Sequence, residues 1–376
     1  MKIAILSHSY LEPENRKNIV ALSQVEQVVV VSPSTGPVLV FEKFRFDSSD
    51  FAKHLFLTFR PLYILPSQYV LLTLTMGFAH FKPDVIQVEY NPWSAMFLQA
   101  LVARALFCRR AKLVCTIKKN TYRRYPGWRG WTKDRLARLM LARVDHIMAA
   151  SAMVKRLYVS VFLFPSTRIT VVHPLGVDTE RFAPSSAREN VPGDALVIGY
   201  CGRFEEEKGV TDLIAAAEQC REAGGRPIVL KLLGSGALEP QLARRASGSA
   251  WMEVFPPVSN AEVADFLRGL DIFVMPSRIL ADHQEHDAHS LLEALAVGVT
   301  VIGTRSGIIP EILSDGAGLL VNPEAPEELA AALSDLAQDV SKRHSFGERG
   351  RRKAEREFSL DRIAARNAEI FQGLLS

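Results

Sequence analysis

One pattern constrains this chain more than any other: short β-rich runs separated by helix-forming stretches, carried through the first half, interrupted, and then started afresh. The first series runs through Lys2–Leu6, Gln27–Val31, Asp84–Val88, Lys112–Ile117, His146–Ala149 and Ile169–His173, with helical stretches such as Ser94–Phe107 and Thr132–Ala142 between. The second runs through Ala195–Tyr200, Ile228–Leu233, Met252–Phe255, Ile272–Met275, Thr300–Gly303 and Leu319–Val321. Strands joined through helices pair in parallel, and the helices cover both faces of the sheet. The alternation therefore predicts an α/β protein of two doubly wound domains facing a central cleft. A Pro- and Ser-bearing stretch from Phe182 to Gly193 reads as the linker. The expected division is 1–182, then 183–356, then a final helix over 357–376 that packs back toward the first domain. With 376 residues, 48% of them hydrophobic and 23% charged, each half can bury a core, and a disordered or coiled-coil chain is excluded.

The net charge of +4 hides a contrast between the halves. Up to Pro184 there are 25 basic against 12 acidic residues; beyond it the numbers are 20 and 29. The excess of cations gathers between Arg104 and Arg143, where Asp134 is the sole acid. In that stretch Tyr122, Tyr125, Trp128 and Trp131 interleave with Arg123, Arg124, Arg129 and Lys133. Such a surface suits an anionic membrane or the rim of an acceptor pocket, and nucleic acid is not expected as a partner. The four cysteines, Cys108, Cys115, Cys201 and Cys220, lack CxxC spacing and point to reduced core residues of a cytoplasmic protein. Met1–Tyr10 turns polar too soon for a signal peptide. The uncharged run Pro61–Phe81 is interrupted at Pro66, Ser67 and Gln68. An apolar helix from about Ser67 to His80 is expected, short of the ~20 residues a membrane span needs.

Two segments carry chemistry. Gly199-Tyr-Cys-Gly-Arg-Phe-Glu-Glu-Glu-Lys-Gly209 lies between a strand and a helix, so Arg203 and Lys208 sit on a Gly-flanked loop at a helix N-terminus. The arginine offers a planar fork and the lysine a point charge, a pairing that suits a diphosphate; a solvated charge run with Glu205–Glu207 is the alternative. In Glu285-His-Asp-Ala-His-Ser-Leu-Leu-Glu293, a helix starting near Ala288 places one carboxylate before its first turn and one on its second. The helix N-terminus can then meet a phosphate while the carboxylates accept bonds from hydroxyls on either side. A nucleotide sugar presents groups in that order.

These motifs, taken together and in order, resemble the retaining GT-B glycosyltransferases of family four. The resemblance rests on Gly202-Arg203 with Lys208-Gly209, Leu233-Gly-Ser-Gly236, Met275-Pro-Ser277, the Glu-x7-Glu pair, Gly307-Ile-Ile-Pro-Glu311 and Gly176-Val-Asp-Thr-Glu-Arg-Phe182. Lys82-Pro-Asp-Val-Ile-Gln-Val88 and Asn120-Thr-Tyr-Arg-Arg-Tyr-Pro126 are similar to segments of exopolysaccharide-type members. The resemblance implies two Rossmann-like domains, the first for the acceptor and the second for the donor. It implies catalytic roles for Arg203 and Lys208 on the diphosphate and Glu285 on the sugar hydroxyls. Donor contacts are implied for Gly202, Gly234, Val258 (to the base, through its backbone), His286, Asp287, Ala288, His289, Ser290 and Glu293 (to the ribose). On the acceptor side it points to His8, Lys118, Lys119, Asn120 and Tyr122.

The chain also departs from the family pattern. The loop after the first strand, Ser7–Arg16, lacks the usual paired glycines, and Thr116-Ile-Lys118-Lys119 replaces a stretch that commonly holds a histidine. His286-Asp287-Ala288-His289 stands where small residues and an aromatic are usual, and Leu175 where an asparagine is. His283, His286 and His289 with Asp282 and Asp287 raise a metal site as an alternative, their spacing of three suiting one helical face; the expectation is no metal and no cofactor, because Arg203 and Lys208 can neutralise a diphosphate. The expected activity is retaining transfer of a sugar from a UDP- or GDP-linked donor to a hydroxyl acceptor, lipid-linked or soluble, in glycoconjugate or polysaccharide synthesis. The expected location is the cytoplasm, with the inner membrane face as a peripheral site. A nucleotide-sugar epimerase and an inactive nucleotide-sugar-binding protein are the alternatives.

Overall fold

The computed structural model describes residues 1–11, 15–33, 56–59, 61–65, 68–71, 78, 80–122, 127–174, 176–185, 195–281 and 283–376. The chain forms two units: Met1–Gly176 with Leu360–Ser376, and Val177–Ser359. The strands of the first are β1 (Lys2–Leu6), β2 (Gln27–Pro33), β3 (Phe56–Phe59), β4 (Pro61–Leu65), β5 (Gln68–Leu71), β6 (Val85–Val88), β7 (Lys112–Ile117), β8 (His146–Ala149) and β9 (Ile169–Val171). Seven of them make one sheet in the order β3-β2-β1-β6-β7-β8-β9, every pairing parallel. The second unit holds β10 (Leu196–Cys201), β11 (Ile228–Leu233), β12 (Met252–Phe255), β13 (Ile272–Met275), β14 (Thr300–Thr304) and β15 (Leu319–Val321). They form a parallel sheet in the order β12-β11-β10-β13-β14-β15.

Both sheets are doubly wound, as the strand–helix alternation predicts. A strand covered on both faces must be apolar along its whole length. β2 meets this with Val28–Val31, all buried, and the central strands β13 and β14 are buried throughout. The edge strands β12 and β15 are only partly buried. In each unit the chain winds outward from its first strand and then returns to that strand's other side. The topological switch points therefore lie between β1 and β6 and between β10 and β13, and ligands of open α/β sheets sit at the carboxyl ends of such strands.

One expectation is overturned. The apolar run after Ser67 begins as a strand: β5 pairs antiparallel with β4, Leu62 opposite Val70 and Tyr63 opposite Tyr69. Tyr69 and Val70 have the aromatic and β-branched side chains that strands favour, and the charge-free composition alone could not separate the two states. Residues 72–77 lie outside the described residues, as do 186–193 of the expected linker. β3 was not anticipated either, because no helical stretch sets off its four residues in the sequence. Among the described residues, no helix is long and apolar enough to cross a membrane. All four cysteines are free thiols.

Several helices start on their own side chains. Ser94 accepts from the Phe97 N–H at 3.1 Å, Ser151 from Val154 at 3.3 Å, and Ser259 forms a capping box with Glu262. The final helix, Leu360–Leu375, belongs to the first unit and packs on the helix Arg16–Ser23. Its buried residues Ile363, Ala364, Ala368 and Phe371 lie on one face, and the last three join Ile19, Ala21 and Leu22 in a single cluster. Phe371 is fully buried. Phe371→Ala is therefore expected to destabilise the first unit by roughly 3–5 kcal/mol, measured as a lowered denaturant midpoint of that unit's transition.

Candidate functional site

The carboxyl ends of β10 and β13 bring several polar side chains of the second unit together. After β13 the chain runs Pro276-Ser277-Arg278, and Arg278 stitches it to the loop after β10. Its backbone N–H donates to the Glu207 carbonyl at 2.9 Å, and its guanidinium donates to Asp212 at 2.8 Å and to Thr211 at 3.0 Å. Gly209 lies so close that a Cβ there would stand 2.0 Å from the Pro276 carbonyl oxygen, and its φ of +67° adds to the demand for glycine. Lys208 is thereby brought to Glu285: the ammonium donates to the carboxylate at 2.7 Å.

Glu285 is completely buried. Its Oε2 also accepts from the Ser277 hydroxyl at 2.7 Å, and its Oε1 accepts from the N–H groups of His286 and Asp287, both at 3.2 Å. Its own backbone is held as firmly, its N–H by Ser306 Oγ at 3.3 Å and its carbonyl by the Ile308 N–H at 3.0 Å. Burial pushes the Glu285 carboxyl up, but the Lys208 ammonium and the hydrogen bonds from Lys208, Ser277 and Asp287 outweigh it and hold the group below the usual carboxylate range.

Around this pair lie the other donor-side candidates. Arg203 is largely exposed, bonded to Glu207 at 3.3 Å, and its carbonyl accepts from the Tyr200 hydroxyl at 2.7 Å. Gly202 donates to the Leu233 carbonyl at 3.0 Å and Phe204 to that of Ser235 at 2.7 Å, which lays the Gly202 and Gly234 loops against each other. Val258 is part-exposed in the loop after β12. The helix His289–Val297 begins at Ala288, a residue with no side chain to cap it. Its start carries no N-cap side-chain bond, an arrangement that suits an anion, with Ser290 in the first turn. Glu293, one turn further, raises the Cys201 thiol together with burial, the larger cause, to about 12, which puts that carboxylate beside the end of β10.

The three histidines do not share a helical face. The helix starts only at His289, so His283 and His286 lie in the loop ahead of it, their rings 5.8 Å apart and T-shaped. His289 faces Asp287 at 3.2 Å. Among the described residues no group of three such side chains is arranged to hold a metal ion, and Asp282 lies outside them. The Nε2 of His283 is buried without a hydrogen-bond partner, and burial followed by the Lys208 charge lowers its pKa.

The first unit has a polar cluster at its own switch point, centred on a residue the motif reading missed. Glu89 follows β6, with a side chain only 3% exposed. It accepts from the Ser7 hydroxyl at 2.9 Å, the Tyr10 hydroxyl at 2.9 Å and the Gln87 amide at 3.0 Å, and the Lys118 ammonium stands 3.8 Å away. Lys118 also donates to Ser9 Oγ at 3.4 Å. His8 lies against Tyr90, ring centroids 5.2 Å apart; burial and Lys118 lower its pKa against the pull of Glu89. The structure thus gathers His8 and Lys118 about one carboxylate. Lys119 and Asn120 follow on the same loop, Asn120 buried. Tyr122 lies elsewhere, in an aromatic set with Trp93 and Phe162 at centroid distances of 5.4 and 5.0 Å. That set takes up Lys133, whose ammonium sits 4.7 Å from the Trp93 ring and 4.4 Å from that of Tyr122. Lys133 and Tyr122 are therefore part of the packing and not of an exposed basic face. Residues 123–126 lie outside the described residues.

Comparison with known proteins bears on the family and the fold. Residues 182–353 match the family model described as Glycosyl transferases group 1, and residues 23–174 that described as Glycosyl transferase 4-like domain. A protein of Kineococcus radiotolerans named D-inositol 3-phosphate glycosyltransferase is 32% identical over 237 residues, covering 56% of this chain and 53% of that one. The chain thus spans about half the length of the curated relatives it matches. Among solved structures, a glycosyltransferase from Rickettsia africae has a TM-score of 0.77 at 16% identity, covering 100% of this chain and 98% of its own. Anabaena HepE in complex with UDP has a TM-score of 0.74 at 16% identity, with 99% and 100% covered. The fold is the two-domain GT-B fold.

Two outcomes follow from the site's packing. Gly307 has φ +54°, and a Cβ there would stand 1.7 Å from the Glu285 carbonyl oxygen. Gly307→Ala should cost at least ~2 kcal/mol and loosen the Glu285 loop, read by thermal unfolding. His8, His146 and His283 all have folded pKa values lowered first by burial. As pH falls through the ordinary histidine value of about 6.5, the unfolded chain takes up protons that the folded chain refuses. Stability should therefore fall between about pH 7 and pH 5.5, and His283→Gln should show a shallower fall in melting temperature than the parent chain.

Proposed function

Because the chain belongs to the glycosyl transferases of group 1, we propose that it moves a sugar, with retention at the anomeric carbon, from a UDP- or GDP-linked donor to a hydroxyl acceptor in glycoconjugate or polysaccharide synthesis. The observation that carries this reading is the uncapped helix N-terminus at Ala288, flanked by Glu285 and Glu293, at the switch point that also holds Lys208. An N-terminal turn and nearby cations are the environment a diphosphate needs, and a carboxylate one turn along the helix is placed for ribose hydroxyls.

In this proposal the bond between the anomeric carbon and the β-phosphate oxygen breaks, and charge grows on the departing diphosphate. Arg203 and Lys208 stabilise that charge in place of a metal ion. The acceptor hydroxyl adds on the face the phosphate leaves and gives its proton to the departing oxygen. Fixed cations at a leaving group lower the barrier because they act most strongly where charge develops. The acceptor belongs to the first unit, where His8 and Lys118 lie about Glu89 and Lys119 follows on the same loop. The two lysines suit an anionic acceptor, and inositol 3-phosphate, present in the names of several relatives, is one to try.

We further propose that the first unit meets anionic membranes. Trp128 and Trp131 are 72% and 62% exposed on the helix Trp128–Leu141, with Leu136 and Leu139 also exposed. The Arg135 guanidinium lies 5.1 Å from the Trp131 ring. Indole rings at headgroup level and cations beside them are what such a surface attracts.

Incubation with UDP- and GDP-sugars, followed by NMR, tests the activity. Release of nucleoside diphosphate with an acceptor-bound sugar of unchanged anomeric configuration is expected. An inverted product would end the retaining reading, and a changed sugar stereocentre in the donor would make the chain an epimerase. Arg203→Ala should lower kcat roughly a hundredfold. In liposome sedimentation, binding should require anionic lipid, fall with added salt, and drop in a Trp128→Ser, Trp131→Ser, Arg135→Ser variant. Protein left in the supernatant at low salt would refute membrane attachment.

A further inference from the structure

We infer that His283 is a specificity residue for the donor sugar, its imidazole placed beside the Lys208–Glu285 pair to hydrogen-bond a sugar hydroxyl. The inference rests on the proposed binding of a nucleotide sugar at this site and adds a residue to it. The resemblance to family four assigns His283 no role.

The sequence makes room for this side chain. Between Ser277, just past β13, and Glu285 stand seven residues, Arg278–Gln284. The chain uses that length to turn back on itself. Leu280 and His283 form an isolated antiparallel bridge: the Leu280 N–H donates to the His283 carbonyl at 2.9 Å, and the His283 N–H to the Leu280 carbonyl at 3.3 Å. Both ends of the segment are anchored as well, Arg278 to Glu207 and Asp212, Glu285 to Ser306 and Ile308. The His283 backbone is therefore fixed, and its ring meets that of His286 in a T-shaped contact, centroids 5.8 Å apart.

The ring sits where the donor's bond would break. The charges of Lys208, Glu285 and Glu207 all act on it. In the proposed complex Lys208 meets the diphosphate, and the family resemblance puts Glu285 on sugar hydroxyls. A group beside both of them lies at the sugar. Burial, followed by the Lys208 charge, lowers the His283 pKa, so the ring is neutral at about pH 7. A neutral imidazole has one donor and one acceptor nitrogen, which matches a hydroxyl and not a phosphate. Its Nε2 is buried without a hydrogen-bond partner, a costly state for a polar atom, and a sugar hydroxyl supplies the missing partner. The same cost makes such a site selective, because a sugar that cannot reach the nitrogen leaves it unpaired in the complex.

Calorimetric titration of the full chain with UDP, GDP, UDP-glucose, UDP-galactose, UDP-N-acetylglucosamine and GDP-mannose first identifies the preferred nucleotide sugar. His283→Phe should weaken that ligand roughly tenfold, the loss of one buried hydrogen bond, with the matching nucleoside diphosphate unchanged. His283→Gln, whose amide nitrogen can stand where Nε2 does, should recover most of the loss. Equal weakening of the nucleotide sugar and the nucleoside diphosphate would overturn the inference, since His283 would then act on the phosphates or through Lys208. Unaltered binding of both, or a Gln variant as weak as the Phe variant, would overturn it too. If His283→Phe does not fold, His283→Asn decides: its amide is too short to take the place of Nε2, and undiminished sugar binding there refutes the role. A parent chain that binds nucleoside diphosphates but does not discriminate among the sugars would end the inference and leave the proposed function standing. A parent chain that binds none of these ligands would end both.

Discussion

A carboxylate taken wholly out of water is costly unless its charge is matched and its lone pairs are filled. Glu285 meets both conditions, and the local architecture of the second unit follows from the need to meet them. Lys208 must come from the loop after β10, Ser277 from the end of β13, and two backbone N–H groups from the residues after Glu285 itself. Glycines at 209 and 307 let the flanking loops close to distances no other residue allows. A parallel sheet whose switch point lies between β10 and β13 delivers these segments side by side.

The regular part of this architecture was legible from the sequence, since buried strands write themselves as apolar runs. β7, β8, β11, β12, β13 and β15 begin and end where those runs do. Legibility failed where composition is compatible with two states, as in the apolar stretch after Ser67, which opens as β5. It failed also for β3, a strand with no helical stretch to set it off. In the site, spacing could place Glu285 and Glu293 on either side of a helix start, because eight residues of chain fix that geometry. It could not tell which carboxylate faces outward. That depends on Ser277 and Lys208, which reach Glu285 from 8 and 77 residues away.

Glu89 shows the same limit from the other direction. In the sequence it is one acid after the apolar run Val85–Val88, indistinguishable from a solvated strand end. Its burial comes from Ser7, Tyr10 and Lys118, which lie at the ends of neighbouring strands and are distant along the chain. Each unit therefore buries one glutamate beside one lysine at its switch point. In the second unit the two touch at 2.7 Å, while in the first they stand 3.8 Å apart and the carboxylate relies on neutral donors.

The helix Leu360–Leu375 has a consequence for how the protein is made. Its side chains Ala364, Ala368 and Phe371 complete the core of the first unit, yet the whole of Val177–Ser359 lies between that helix and the rest of the unit. On a ribosome, Ile3, Ile19 and Leu22 emerge early and wait with their apolar surface uncovered until the second unit has been translated. The second unit is continuous in sequence and can close as soon as it emerges. The order of completion is then the reverse of the order of synthesis, and the interval in which the first unit stands open is the period of greatest exposure to aggregation and to chaperones.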